Sequence, residues 1–195
     1  MRNTARLISV HLFLCLAACA SQEPPSVVSD FDDLTGVSLA RPREPVRMLA
    51  PRPGLSLVGK DYLFTGPVSV STAGTPHTFL WFALGSTIDR PHTGARLPTF
   101  KTIVVRVDDS LMTFDLIPWS SASKSDPYEL PVAVHASYAA KITNSQIRQL
   151  AQASRLAAYV TDEDDRSPLY ELVDGELADW LAFCCGENLS AVSQR

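Results

Sequence analysis

Histidine is the side chain best suited to acid–base catalysis near neutral pH, and the three histidines beyond residue 18 lie far apart. His77, His92 and His135 are separated by 15 and 43 residues, and no His-x-x-His or Cys-x-x-Cys pair stands near them. His135 falls on the more polar face of a predicted strand, which makes it the first candidate for a general base. No serine lies in a Gly-x-Ser-x-Gly motif, so the sequence predicts no catalytic residue.

The acidic run at residues 162–165 is a candidate for calcium binding. A calcium loop of the EF-hand type needs glycine at its sixth position and glutamate at its twelfth. Counted from Asp162, those positions hold Ser167 and Val173. The nine glycines are scattered singly, whereas phosphate loops need several at fixed spacing. We therefore expect a solvated turn at the acidic run, and no metal, nucleotide or other cofactor.

The N-terminus has the arrangement of a secretion signal. Arg2 and Arg6 precede an apolar run of about ten residues, which is shorter than the roughly 20 that a membrane-spanning helix needs. Leu16-Ala17-Ala18-Cys19 follows directly and resembles the lipobox of bacterial lipoproteins. Residues 1–18 are therefore expected to be a lipoprotein signal peptide.

The resemblance to bacterial lipoproteins implies a lipid anchor on Cys19. A diacylglyceryl group would be joined to the Cys19 sulfur, the leader would be removed, and the new amino group would receive an acyl chain such as palmitate. Two or more chains anchor a protein stably in a bilayer. Ala20 and Ser21 stand where an aspartate would favour the inner membrane, so the resemblance implies the outer membrane, facing the periplasm.

Residues 19–55 are predicted to form a lipidated, proline-rich tether. Its arginines could touch anionic headgroups or cell-wall polymer. The alternative is that they belong to a spacer that is only solvated. Without residues 1–18 the chain keeps 15 basic and 21 acidic side chains, which excludes a basic surface for nucleic acid. The tether holds six prolines, Pro24, Pro25, Pro42, Pro45, Pro51 and Pro53, and four arginines, Arg41, Arg43, Arg47 and Arg52.

Residues 56–195 are predicted to form one β-rich domain. Strands are expected at 60–72 and 77–85, joined by a turn, and the second is apolar on both faces around Trp81, as in a central strand. Further strands are expected at 101–107 and 111–117, at 132–140 with Val132, Val134, Ala136 and Tyr138 on one face, and at 155–160. A short edge strand is expected at 168–172.

Two helices are expected late in the chain. Thr143 and Gln146 form a capping box before an apolar stripe of Ile147, Leu150 and Ala151. The last helix would start at a cap on Asp174, run through Phe183 and end at Gly186. In that helix Cys184 continues an apolar stripe and should be buried, while Cys185 lies about 100° round and should form no bond with it. The fold class is therefore α+β, mainly an antiparallel β sheet or sandwich with two short C-terminal helices.

Three functions are open at this point. The first is a membrane-anchored binding or assembly module of the cell envelope, with an envelope protein or cell-wall polymer as partner. The second is an envelope hydrolase with a site assembled from distant residues, His135 among them. The third is a periplasmic carrier of an apolar ligand, suggested by the strand around Trp81. The anchor, the tether and the missing catalytic motifs favour the first.

Overall fold

The computed structural model describes residues 26–32, 35–50, 60–87, 100–161, 167–175 and 177–190. The predictions for the signal peptide, Cys19, Arg52, His92 and the acidic run concern residues outside these ranges. The strands are β1 (Val27–Asp32), β2 (Val37–Pro42), β3 (Val46–Ala50), β4 (Asp61–Thr72), β5 (Thr75–Ser86), β6 (Thr102–Val107), β7 (Ser110–Asp115), β8 (Ile117–Pro118), β9 (Ala133–Lys141), β10 (Leu156–Thr161) and β11 (Tyr170–Asp174). The helices are α1 (Asn144–Ala151) and α2 (Ala178–Ser190), and Trp119–Ser121 is a short 3-10 helix.

The predicted fold class is confirmed: the described chain is mostly antiparallel sheet with two short helices. The strands follow the order β7-β6-β10-β11-β3-β4-β5-β9-β8, and the β1–β2 hairpin joins β4 beside β3. The sheet curls until it is nearly closed. Its two end strands, β7 and β8, are separated in sequence only by Leu116.

The hairpin of β4 and β5 is longer than predicted. Its turn is only Ala73 and Gly74, both with positive φ, at 51° and 81°. Two positive φ angles are typical of a type I′ turn, which matches the twist of the strands it joins. β5 pairs with β4 on one edge and β9 on the other, and residues 79–83 are buried, which confirms the prediction of a central strand.

The predicted tether is wrong for three segments of residues 19–55, Val27–Asp32, Val37–Pro42 and Val46–Ala50, which form β1, β2 and β3. β3 alternates as a half-buried strand should, with Val46 and Met48 each 1% exposed. Pro42 ends β2 and Pro45 directly precedes β3, positions where a missing backbone N–H interrupts few ladder hydrogen bonds. These prolines therefore mark strand boundaries, and the folded domain includes residues well before 56.

The C-terminal elements also differ from their predictions. β11 is not an edge strand, since it pairs with β10 on one side and with β3 on the other. Asp174 ends β11 instead of capping a helix, and α2 begins at Ala178 and continues through Gly186. Cys184 is 0% exposed, as predicted.

A bulge divides the predicted face of β9. Leu84 pairs with Ala136 but Gly85 pairs with Val134, so His135 is an extra residue in its strand. Because side chains alternate between the two faces of a sheet, the extra residue puts the side chains before it on the opposite face from those after it. Ala136 and Tyr138 pack inside the curl, while Val132 packs on the outside.

Two hydrophobic cores lie on the two faces of the curled sheet. The inner core fills the curl and includes side chains from α1 and α2, where the predicted capping box is present at Thr143 and Gln146. The outer core covers part of the opposite face. Its buried members are Leu39, Phe64, Val68, Val70, Phe79, Trp81, Ala83, Trp119, Tyr128 and Ala139.

Candidate binding site beneath the strap

The candidate site begins at an interruption along one edge of β4. β3 pairs with β4 at residues 61–65, and β2 pairs with it at residues 69–72. Within the described ladders, residues 66–68 therefore lack a partner on that edge. Pro67, which has no N–H to donate, lies in this interval. The pairing of β2 with β4 ends at Ala40, and the pairing of β3 with the same edge begins at Val46.

Residues 119–132, here called the strap, cross the outer face and cover the outer core. Trp119 anchors one end with 2% exposure, and its indole Nε1 donates to the Ser125 carbonyl oxygen at 2.9 Å. Tyr128 anchors the middle with 7% exposure. The strap contains little regular structure, so side-chain anchors hold it instead of a hydrogen-bonded ladder.

Tyr128 rests directly on Gly66. A Cβ added to Gly66 would lie 2.5 Å from the Tyr128 hydroxyl oxygen and 3.2 Å from its Cζ, so only glycine leaves room for the ring. Trp81 is the cross-strand partner of Gly66, and its ring centroid is 5.1 Å from that of Tyr128, at an interplanar angle of 46°. Gly66 and Trp81 together form the seat of the strap.

Arg41 stacks on the same tyrosine. Its guanidinium carbon is 4.8 Å from the Tyr128 ring centroid, the geometry of a cation–π contact. Its Nη2 pairs with Asp30 Oδ2 at 3.2 Å, and its Nη1 donates to the Arg43 carbonyl oxygen at 3.1 Å. The side chain is only 17% exposed, so β1, β2 and the strap hold it in place.

Three buried polar atoms meet here without hydrogen-bond partners: Arg41 Nε, Trp81 Nε1 and the Tyr128 hydroxyl. Burial raises the pKa of Tyr128 far above its ordinary value, and the charge of Arg41 offsets only part of that rise, so the phenol stays protonated. All three groups can donate hydrogen bonds. A buried group without a hydrogen-bond partner costs about 1–3 kcal/mol.

Two open clefts flank the Arg41–Tyr128 pair. The arginine cleft, of about 530 Å³, is lined by charged residues from the β2–β3 connection and the strap. The tryptophan cleft, of about 520 Å³, lies on the other side. Charged residues of the arginine cleft are Arg41, Arg43, Arg47, Glu44 and Glu129, and those of the tryptophan cleft are Arg41, Asp30, Asp126 and Glu129.

The structure brings together three of the four arginines that the sequence singled out. Arg41, Arg43 and Arg47 line one cleft, although they were placed in a tether. The candidate bases are elsewhere: His77 is exposed near the start of β5, and the backbone of His135 forms the bulge in β9. Within the described ranges, no group of three or more His, Cys, Asp or Glu side chains is placed to hold a metal ion.

Sequence reasoning missed Tyr128, Gly66 and Asp126. One local signal was present, because Gly66-Pro67 inside a long apolar strand is typical of an interrupted ladder or a close approach. The strap itself carries neither a helical nor a strand period.

Neither helix in the described ranges combines the length and apolar character needed to cross a membrane.

Comparison with protein-family models, with curated proteins and with solved structures found no match for this chain.

Proposed function

We propose that the protein is a lipid-anchored bacterial envelope lipoprotein whose folded domain is a binding or assembly module, with its ligand at the strap. The observation that carries this proposal is the pair of open clefts, of about 530 and 520 Å³ and lined by charged side chains, on the two sides of the contact between Arg41 and Tyr128. The anchor on Cys19, at the outer membrane facing the periplasm, rests on the lipobox.

The two alternative functions have less support. A hydrolase needs a nucleophile and a base within reach of each other, and among the described residues neither cleft is lined by histidine, cysteine or serine. A carrier of apolar ligands needs an apolar cavity, whereas charged side chains line both clefts. Trp81, which suggested the carrier, packs against Tyr128 instead.

The anchor is tested by metabolic labelling with palmitate. Cys19→Ala should abolish incorporation and leave an uncut precursor, while Cys15→Ala in the same leader is the matched control and should still be labelled. Incorporation by Cys19→Ala at the wild-type level would show that the anchor is assigned to the wrong residue.

The binding site is tested by photo-crosslinking in intact cells. A photoreactive amino acid at Leu130, which lines both clefts, should give a discrete adduct. The same amino acid at Leu111, 66% exposed on β7, is the control and should not. Adding Tyr128→Ala should remove the adduct at position 130. Equal adducts from both positions, or none from either, would contradict a ligand site at the strap.

A further inference from the structure

The strap is hydrogen-bonded to itself and not to the sheet that it covers. The Trp119 carbonyl oxygen accepts hydrogen bonds from the backbone N–H groups of Ala122 and Ser123. The Ser125 carbonyl oxygen accepts from Trp119 Nε1 and from Ser123 Oγ. Among the described residues, no hydrogen bond or ion pair joins residues 120–131 to a residue outside the strap. The middle of the strap can therefore leave the sheet without breaking any such bond.

Apolar and aromatic contacts hold the strap instead. Trp119 and Tyr128 are buried members of the outer core, and Ala122, Leu130 and Val132 pack against it. These side chains belong to one cluster and rest on one face of the sheet. Because they depend on the same contacts, we expect them to separate from the sheet together.

Both ends of the strap are held by paired strands. β8 precedes the strap and pairs with β9, and β9 follows the strap and pairs with β5 from Ala133 onwards. Movement of the strap breaks no pairing between these strands, so their ladders can stay in register. The two ends would then act as hinges.

Release of the strap would change both clefts at once. Tyr128, Glu129 and Leu130 belong to the strap and line both of them. Release would also expose Val68 and Trp81, which are 0% and 1% exposed beneath it. Exposing apolar side chains to water is unfavourable, so the closed strap is the major state and the released strap a minor one.

We propose that the strap is a hinged cover, which releases from the outer core as one unit while the inner core and the strand ladders stay folded. Its position decides whether the two clefts exist, so its release regulates the candidate binding site. This regulatory role rests on the proposed function, whereas the release itself does not.

The test labels a cysteine placed beneath the strap. Val68→Cys puts a thiol in the outer core, on the same face of β4 as Gly66, and Val160→Cys is the matched control in the inner core. Both valines are 0% exposed. In the detergent-solubilised mature protein, N-ethylmaleimide should label position 68 at least about tenfold faster than position 160, which only global unfolding exposes. Peptide mass spectrometry measures both rates.

Two references accompany this measurement, and circular dichroism checks that each variant is folded. The native thiol of Cys184, 0% exposed in the inner core, should be labelled as slowly as position 160. Ala83→Cys is a second probe of the outer core, also at a residue 0% exposed, and should be labelled as fast as position 68.

Two further variants separate release of the strap from unfolding of the sheet. Leu150→Ala, in α1 and 1% exposed, should speed labelling at position 160 and leave position 68 unchanged, because the inner core is intact in both the closed and the released state. Tyr128→Ala should speed labelling at position 68 by about tenfold or more, because it removes the anchor in the middle of the strap.

Equal labelling rates at positions 68 and 160, or a parallel rise at both in Leu150→Ala, would overturn the inference, since the strap would then leave only when the whole domain unfolds. A crosslinked adduct at Leu130 together with equal rates would leave the ligand site standing and reject only the hinged cover. Faster labelling at position 68 without an adduct would support release of the strap and reject the ligand site.

Discussion

The inner and outer cores are built from the same strands but closed in different ways. In β5, Leu80 and Phe82 point into the inner core, while Phe79 and Trp81 point into the outer core. The inner core is closed by strands in register and by two helices. The outer core is closed by the strap. Both contain unpartnered buried atoms, but only those of the outer core lie between clefts lined with charge. One face of this sheet is therefore closed by regular elements packed against it, and the other is closed by side-chain anchors and bordered by open clefts.

The largest expected effect is on the inner core. Phe82→Ala, at a residue 1% exposed, should lower the free energy of unfolding by about 3–5 kcal/mol, because it leaves a cavity that the sheet cannot fill. Phe79→Ala removes the same side chain from the outer core, where the strap can settle into the space, and should cost less. Denaturant unfolding of both variants measures the two losses of unfolding free energy. Equal losses would show that the two cores do not differ in how they respond to a lost side chain.

Gly66→Ala should act through the strap. The added methyl group would press on the Tyr128 hydroxyl and ring, and we expect a loss of about 1–3 kcal/mol from overpacking. Amide hydrogen exchange should speed up in residues 119–132 and stay unchanged in α1. Adding Tyr128→Phe removes the closest atom and should recover part of the loss. An equal increase in the exchange rates of residues 119–132 and of α1 would show instead that the two cores unfold as one unit.

Alkaline pH should weaken the outer core. Burial raises the pKa of Tyr128 above the value of about 10 that it has when unfolded, and Arg41 lowers it by less. The native state therefore keeps a proton that the unfolded state loses, so stability falls as pH rises above about 10, by at most about 1.4 kcal/mol per pH unit. Unfolding of wild type and Tyr128→Phe at pH 9, 10 and 11 measures the slope.

Two tyrosines contribute to that slope, because burial also raises the pKa of Tyr138 in the inner core, against a smaller lowering by a backbone hydrogen bond from Phe100. Tyr128→Phe should make the slope shallower without removing it. At neutral pH the same variant should be as stable as wild type or slightly more so, since it removes an unpartnered hydroxyl. An unchanged alkaline slope would mean that Tyr128 is exposed in solution.

The smallest effect is expected at the cap of α1. Thr143 Oγ1 accepts a hydrogen bond from the Gln146 backbone N–H at 3.3 Å, and Gln146 Oε1 accepts one from the Thr143 N–H at 2.9 Å. Thr143→Ala should cost about 1 kcal/mol. Because α1 belongs to the inner core, exchange should speed up in α1 and not in the strap. Gln149→Ala, at an exposed position later in the same helix, is the control and should change neither stability nor exchange.

Local patterns were enough to predict the central part of the fold. The β4–β5 hairpin, the buried strand around Trp81 and the capped helix α1 each depend on residues close together in sequence, and all three are present. β11 was taken for an edge strand because its pairing with β3 joins residues far apart in sequence, and no local pattern reports such a pairing. β3 has the alternation of a strand, but the prolines around it favoured a tether.

The candidate site was predicted only in part. The cluster of arginines was noticed, but the prolines between them suggested a spacer, since a proline at a strand end looks the same in sequence as a proline in a tether. Tyr128 could not be assigned, because its role comes from Gly66, which lies 62 residues earlier and receives its ring. The bulge at His135 likewise depends on pairing with β5 and moved Val132 to the outer face.

The pairing of β3 with β11 also orders the folding of the chain in time. Leu49 and Glu171 face each other across this seam although more than 120 residues separate them. Chains are synthesised from the N-terminus, and contacts between distant residues carry the entropy of closing a long loop. β3 must therefore wait, with one edge unpaired, until almost the whole chain has been made. A chain truncated so that β3 or β11 is missing would leave the edge of the remaining strand exposed. Exposed strand edges are where copies of a protein pair with one another and aggregate.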